Sequence, residues 1–262
     1  MENMFSLKNK IAIVTGGSGQ LGKQYVRILN EYGAKVAIFD IQTEDYFDND
    51  IIYLKTDITK KKNIEDSLNK TISYWGKPDI LINNAAIDFP PNSEIDGINF
   101  EEFPESIYDN VMDVNVKGTW LCCQVIGKIM TETKTPSSII NISSLYGILS
   151  PKHYIYDYKK NLTGKEWYKP AAYSTSKSAI VNLTKYLSTY WAKYNIRVNT
   201  VSPLGIFNNQ EKEFLDSFIP HSPMKRMANE DEINGTIIFL SSPASSYING
   251  TNIIIDGGWS AW

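Results

Sequence analysis

The chain has 262 residues, 42% of them hydrophobic and 12% aromatic, with 26 Lys and Arg against 29 Asp and Glu for a formal net charge of −3. That length and apolar content suffice for one large α/β core, so a single domain spanning residues 1–262 is expected. The small net charge, with no long block of one sign, excludes no small-molecule partner but points away from nucleic acid and from anionic membrane surfaces.

No run reaches the length of a membrane span, and the opening Met-Glu-Asn-Met-Phe-Ser-Leu-Lys-Asn-Lys lacks the apolar centre of a secretion signal, so a cytoplasmic protein is expected. Cys122 and Cys123 are adjacent within the apolar segment Val116 to Met130, which rules out a disulfide framework and reads as two buried thiols. Together with His153 and His221 they match no ligand spacing, and no metal is expected.

Ile11 to Thr15 is a short β-branched apolar run ending in glycines at 16, 17, 19 and 22, followed by the helical pattern Leu21, Tyr25, Val26, Leu29. Strand, tight turn and helix are predicted, and the free amides at such a helix start can hold a pyrophosphate, or simply close an ordinary turn. Lys35 to Phe39 is the next strand, and Asp40 follows it 18 residues past Gly22, near the spacing at which a carboxylate meets an adenosine ribose. A carboxylate there repels a 2′-phosphate, and the next residue, Ile41, brings no cation, so NAD is expected over NADP.

Strands at Ile51 to Leu54 and Asp79 to Ile82 flank a polar helix from about Lys60 to Tyr74. Strands and helices therefore alternate, the signature of a parallel sheet covered on both faces. Asn83-Asn84-Ala85-Ala86 closes the fourth strand with small residues. After a loose acidic stretch from Pro90 to Pro104, Ile107 to Met130 reads as one long helix with Asn115 near its middle, where a buried amide needs a partner.

Ser138 to Ile142 is the fifth strand, and Ser143-Ser144-Leu145-Tyr146-Gly147 puts hydroxyls at the carboxyl edge of the sheet, where ligands bind in open α/β folds. Ala172 to Ala179 then holds Tyr173 and Lys177, four residues apart and on one face of a helix. A tyrosine is a poor acid or base at neutral pH, but a neighbouring cation stabilises its phenolate. A strand at Ile196 to Val201, a helix at Glu230 to Ser241 and a strand at Thr251 to Ile255 complete the series. About seven parallel strands in a doubly wound, Rossmann-type sheet with helices on both faces are expected.

Taken in order, Thr15-Gly16 to Gly22, Asp57, Asn83-Asn84-Ala85, Asn115, Ser144, Tyr173-x-x-x-Lys177, Asn199 to Gly205 and Asp256-Gly257-Gly258 resemble the short-chain dehydrogenase/reductase family over nearly the whole chain. The resemblance implies a catalytic tetrad of Asn115, Ser144, Tyr173 and Lys177. It also implies a cofactor site of Gly16, Ser18, Gly19, Gln20, Leu21, Gly22, Asp40, Ile41, Asp57, Ile58, Asn84, Ala85, Ala86, Tyr173, Lys177, Pro203, Gly205 and Ile206. Tyr173 would be the general acid/base, with Lys177 lowering its pKa, Ser144 orienting the substrate oxygen, and Asn115 holding a water that links Lys177 to solvent.

Three departures from the classical branch stand out. Position 20 is Gln where a glycine is usual, giving Gly-x-x-Gly-x-x-Gly. Ser144 and Tyr173 are 29 positions apart, which inserts roughly sixteen residues as the loop from Pro151 to Pro170. The usual Pro-Gly after the sixth strand is Pro203-Leu204-Gly205, with Asn208 where a hydroxyl is common.

The insert carries Tyr154, Tyr156, Tyr158, Trp167 and Tyr168 among Lys152, Lys159, Lys160, Lys165 and Lys169, a composition for stacking on sugar rings and attracting phosphate or carboxylate, or for packing on the chain or a second subunit. Ser144, Tyr146, Tyr154, Trp167 and Asn208 are the expected substrate contacts, under a lid at residues 206–227 whose side chains are polar for a fatty chain.

The insert and the runs Pro203 to Gln210 and Tyr247 to Gly250 are similar to a bacterial branch associated with surface-sugar and flagellin-glycan biosynthesis. The expectation is an NAD-dependent oxidoreductase of a sugar or nucleotide-sugar, with a 3-oxoacyl-thioester or small-ketone reductase, or an NAD-binding regulator without turnover, as alternatives. Trp259 and Trp262 near the end of the sequence suit either a core or a subunit interface, and the family resemblance implies a homodimer or homotetramer.

Overall fold

The computed structural model describes residues 3–42, 46–89, 98–133 and 135–261. Most of the predicted acidic stretch before Pro104, and Trp262, lie outside the described residues. The elements in chain order are β1 (Ile11–Thr15), α1 (Gln20–Glu31), β2 (Lys35–Asp40), β3 (Tyr46–Asp48), β4 (Ile51–Lys55), α2 (Lys61–Trp75), β5 (Ile80–Asn83), α3 (Glu105–Met112), α4 (Thr119–Thr133), β6 (Ser137–Ile142), α5 (Asp157–Thr163), α6 (Ala171–Tyr190), β7 (Ile196–Pro203), α7 (Lys212–Phe218), α8 (Asn234–Ser241) and β8 (Asn252–Ile255).

One sheet runs β3-β4-β2-β1-β5-β6-β7-β8. The seven predicted strands are mutually parallel, and the eighth, β3, is a three-residue antiparallel edge on β4. The fold is therefore the expected single α/β Rossmann-like sheet with helices around it. The central strands β1, β2, β5, β6 and β7 are buried on both faces because both are covered. In β1, Ala12 and Val14 pack with Tyr25, Val26 and Leu29 of α1 and Ile237 and Ile238 of α8. Ile13, between them, packs in the opposite layer with Ile64, Leu68, Ile126, Leu187 and Trp191. That two-residue alternation splits the core into two layers, each apolar side chain contributing about 1.5–3 kcal/mol on burial.

Strand order reverses between β1 and β5, and the crevice of the fold opens at their carboxyl ends. Thr15 accepts from the amides of Asn84 and Ala85 through Oγ1, while Asn84 Nδ2 donates to the carbonyls of Thr15 and Gly16. These bonds bring the two strand ends so close that a Cβ on Gly16, which has φ +62°, would lie 2.8 Å from Ala85 Cα. Only glycine satisfies both the space and the left-handed backbone there.

The long helix expected from Ile107 to Met130 is not uniform. Between α3 and α4, residues Asp113–Gly118 widen into a π-helical turn, and Asn115 lies in it. The helix expected from Glu230 to Ser241 likewise divides, its first turn Glu230–Ile233 being tightly wound before α8 begins. Cys122 and Cys123 are both buried and unpaired, and burial pushes the Cys123 thiol up to about 12. Among the described residues no helix is long and apolar enough to cross a membrane, and no group of three His, Cys, Asp or Glu side chains could hold a metal ion.

Candidate active site

A cleft of about 1110 Å³ runs along the carboxyl edge of the sheet. One end is the glycine turn between β1 and α1. Gly19 stands at the start of α1 with no side chain capping the first amides, which leaves donors at the positive end of a 12-residue helix. A Cβ on Gly22 would meet the Gly16 carbonyl oxygen at 2.1 Å, so this glycine shapes the turn from behind instead of lining the cleft. Asp40, 8% exposed at the end of β2, accepts from the amides of Ser18 (3.0 Å) and Gln42 (2.9 Å) while facing the cleft.

Of the expected cofactor residues, Gly16, Gly19, Gln20, Leu21, Asp40, Ile41, Asp57, Ile58, Asn84, Ala85, Ala86, Tyr173, Lys177, Pro203, Gly205 and Ile206 line this cleft, and Ser18 and Gly22 do not. Gln20, the departure in the turn, donates from Nε2 to the Phe207 carbonyl at 2.8 Å and so ties the turn to the segment after β7. The open amides of α1, the close-packed glycines and the Asp40 carboxylate facing the cleft from the end of β2 together fit a dinucleotide.

The other end holds Ser144, Tyr173 and Lys177. Gly147 makes this possible, since a Cβ there would sit 2.7 Å from the Lys177 carbonyl carbon. The exit of β6 therefore lies directly on α6, fastened by Ser143 Oγ donating to the Lys177 carbonyl and Ser178 Oγ donating to the Gly147 carbonyl, each at 2.8 Å. Lys177 is buried and donates from Nζ to the Ile142 carbonyl at 2.9 Å. Burial lowers its pKa to about 8, against a smaller upward pull from the Asp88 carboxylate.

Tyr173 departs from expectation. Burial drives its phenol well above the usual range, the Asp88 carboxylate adds to the rise, and a hydrogen bond from the Ser144 hydroxyl only partly opposes them. The Lys177 ammonium is 5.8 Å from the Tyr173 ring centre and does not reverse that balance. Asn115 does not line the cleft. Its Oδ1 accepts from the Ile87 amide at 2.7 Å, and its Nδ2 donates to the Ile87 carbonyl and to Ser176 Oγ at 3.0 Å. The buried amide is thus satisfied by clamping the loop after β5 onto α6.

The insert is folded. A tight turn at His153–Tyr156 leads into α5, which ends at Gly164 in the left-handed conformation. Of the expected substrate residues, Ser144, Tyr146 and Asn208 line the cleft, but Tyr154 and Trp167 do not. Tyr154 is half exposed with its edge against His221. Trp167 is buried behind Tyr156, ring centres 4.3 Å apart. Composition marks these aromatics as apolar without telling which side of the wall they occupy.

Tyr156, Tyr158, Asp88, Lys169 and Glu211 line the cleft instead, as do the lid residues Phe214, Phe218 and Met227. The inner side of the lid is therefore mixed: Asn208, Asn209, Gln210 and Glu211 give it the expected polar part, and Phe214, Phe218 and Met227 add an apolar one. Trp259 stacks on Phe218 at 4.5 Å and is buried within its own chain, so the described tryptophan of the terminal pair is core.

Comparison with known proteins agrees with this geometry. A family model described as enoyl-(acyl carrier protein) reductase matches residues 18–260. An NAD-dependent glycerol dehydrogenase of Listeria innocua is 32% identical over 97% of this chain and 95% of its own length. A 2-dehydro-3-deoxy-D-gluconate 5-dehydrogenase of Dickeya dadantii is 29% identical over 99% of this chain and 98% of its own. A short-chain dehydrogenase from Leptospira borgpetersenii, solved with bound NAD+, superposes with a TM-score of 0.87 at 33% identity, covering 99% and 96% of the two chains. A glycine turn, a carboxylate at the end of β2 and a Ser-Tyr-Lys cluster in one cleft, on a sheet shared along its whole length with such relatives, make this chain a member of the short-chain dehydrogenase/reductase family, an NAD(P)-dependent oxidoreductase acting on CH–OH groups.

Proposed function

We propose that the protein interconverts a secondary alcohol and a ketone on a sugar or sugar-like polyol, with NAD preferred over NADP. The observation that carries this reading is the meeting of Ser144, Tyr173 and Lys177 at the end of a cleft whose other end is the glycine turn and Asp40. When bound, NAD supplies the hydride acceptor or donor and, in its oxidised form, a positive ring charge. Tyr173 exchanges the hydroxyl proton, donating it to the carbonyl oxygen in reduction and taking it from the alcohol in oxidation. Ser144 donates to the same oxygen. Lys177 anchors the nicotinamide ribose, and Asn115 positions the Ile87 loop that borders the site. Burial holds Tyr173 as the neutral acid, the form that reduction needs.

The sugar-like substrate is supported by relatives described as glycerol and 2-dehydro-3-deoxy-D-gluconate dehydrogenases and by the hydroxyl-rich wall of Ser144, Tyr146, Tyr156 and Tyr158. The sequence resemblance to surface-glycan enzymes extends the reading to a glycan precursor, which includes nucleotide-sugars. The apolar lid face of Phe214, Phe218 and Met227 favours a small, less polar ketone as the second reading. Two free thiols suit a reducing cytoplasm. Following reduced-nicotinamide absorbance with polyols, sugars and 3-oxoacyl thioesters separates these, since turnover confined to thioesters sinks the sugar reading.

Asp40 carries the cofactor preference. Wild type should use NAD at least about tenfold better than NADP in kcat/KM, and Asp40→Asn, which keeps an acceptor for Ser18 but removes the charge, should narrow the ratio about tenfold. Equal use of the two by wild type would contradict the assignment. The outer faces of α4 and α6 leave Trp120, Tyr186 and Tyr190 more than half exposed, an apolar surface suited to a second copy. Light scattering at micromolar concentration should return a dimer or tetramer mass; a monomer removes that part of the proposal.

A further inference from the structure

The insert brings two lysines into its wall, and neither offers a cation to the substrate. Lys169, with 7% of its side chain exposed, pairs with Asp88 of the loop after β5 and donates to the Phe89 carbonyl at 3.1 Å. Its ammonium lies 4.8 Å from the ring centre of Tyr173. Lys159, 3% exposed, pairs with Glu211 at the start of the lid at 3.4 Å, and Tyr158 donates its hydroxyl to the same carboxylate at 3.1 Å. In both pairs the carboxylate is the outer member. The Asp88 side chain is 48% exposed and that of Glu211 37%, and both line the cleft.

Asp88 is close enough to the reacting end to act electrostatically on Tyr146, Tyr156, Tyr173 and Lys177. Among the described residues lining the cleft, Lys169 and Lys177 are the cations, the first neutralised by Asp88 and the second assigned to the cofactor ribose. Asp40, Asp57, Asp88 and Glu211 are the anions.

We propose that Asp88 and Glu211, each fixed from behind by a buried lysine of the insert, are specificity-determining residues that select a polyhydroxy substrate uncharged around its reacting carbon and reject a carboxylate or phosphate there. This rests on the sugar-alcohol reading above and divides it, because relatives of this chain are described as acting both on a neutral polyol and on a sugar acid. The physical basis is that a half-exposed carboxylate accepts hydrogen bonds from substrate hydroxyls and repels a second carboxylate across the low-dielectric cleft. The lysines hold these acceptors from behind, so that the more exposed carboxylate is the nearer charge to the substrate and the lysine offsets it only from greater depth. On this proposal Lys159 and Lys169 position carboxylates instead of attracting acidic substrates themselves.

The test compares kcat/KM for neutral polyols (glycerol and hexitols, with ketohexoses in the reductive direction) against aldonates and sugar phosphates of matched length, for wild type, Asp88→Asn and Glu211→Gln. Wild type should favour the neutral class by at least about tenfold. Asp88→Asn leaves the Lys169 ammonium without its counter-ion beside Tyr173 and should move the ratio about tenfold toward the acids, with Glu211→Gln moving it in the same direction. Raising salt should weaken the wild-type discrimination, which a purely steric wall would not do. A wild type that turns over acids as well as or better than neutral polyols overturns this proposal alone, and so does an unchanged ratio in both variants. A wild type that binds NADH but turns over neither class removes the sugar-alcohol reading and this one with it.

Discussion

Tyr173→Phe is expected to lower kcat by about 10²–10⁴-fold in either direction while leaving NADH affinity within a few-fold of wild type. The substitution removes one oxygen and little else. The ring remains to face the ammonium of Lys169 at 4.8 Å and that of Lys177 at 5.8 Å, so the packing around the cleft is kept. What is lost is the proton exchanged with the substrate oxygen and the partner of the Ser144 hydroxyl. Tyr173 is only partly buried and lines the cleft, so the stability of the variant should stay close to that of wild type. Steady-state turnover and NADH fluorescence titration on the same preparations check both halves. A kcat within tenfold of wild type would falsify the role of Tyr173, and lost NADH binding would mean that the ring itself, not its hydroxyl, organises the cofactor end.

The parts of this arrangement legible in the sequence are those that one local pattern encodes. The seven parallel strands read clearly because each is a short run rich in β-branched residues, and β1, β2, β5, β6 and β7 are buried almost throughout. The antiparallel β3, three residues beside a turn, carries no such run. The π-helical turn at Asp113–Gly118 is not legible because a shift of helical phase confined to a single turn is too short to stand out in the apolar periodicity. Asn115 signalled that its amide had a partner, yet nothing local names Ile87 as that partner.

The wall of the cleft was legible only in composition. Lys169 and Asp88 are 81 positions apart, and Lys159 and Glu211 are 52, so their pairing is a property of the fold alone. The available signal was position: Lys169 sits one residue before Pro170, at the entrance of the helix that holds Tyr173, and its ammonium lies 4.8 Å from that ring. Trp167 and Tyr156 carry similar chemistry, and only the packing of α7 against the insert decides that Tyr156 faces the cleft and Trp167 stands behind it.

Lys177→Met should show a loss of turnover at every pH together with a pH-dependent change in stability, and the second effect is the more diagnostic. The folded protein holds the Lys177 pKa at about 8, below its ordinary 10.5. Below pH 8 both folded and unfolded chains carry the proton, and the folded state bears the full penalty of a buried ammonium. Between pH 8 and 10.5 the folded state has released the proton while the unfolded chain still holds it, so the unfolded state binds more protons and wild-type stability rises with pH. The shift corresponds to about 3 kcal/mol across that window.

Methionine removes the titration but also leaves the Ile142 carbonyl without the donor it has at 2.9 Å, a pH-independent loss of about 1–3 kcal/mol. The level of the difference between wild type and variant is therefore uninformative, and its slope is the test. Urea unfolding at pH 7, 9 and 10 should show wild type gaining on Lys177→Met by up to about 3 kcal/mol, with every other titrating group cancelling in the comparison. A flat difference would mean that the ammonium is solvated in the fold. A rising one, with activity absent throughout, would identify Lys177 as a charge that the site retains for catalysis against the stability of the protein that holds it.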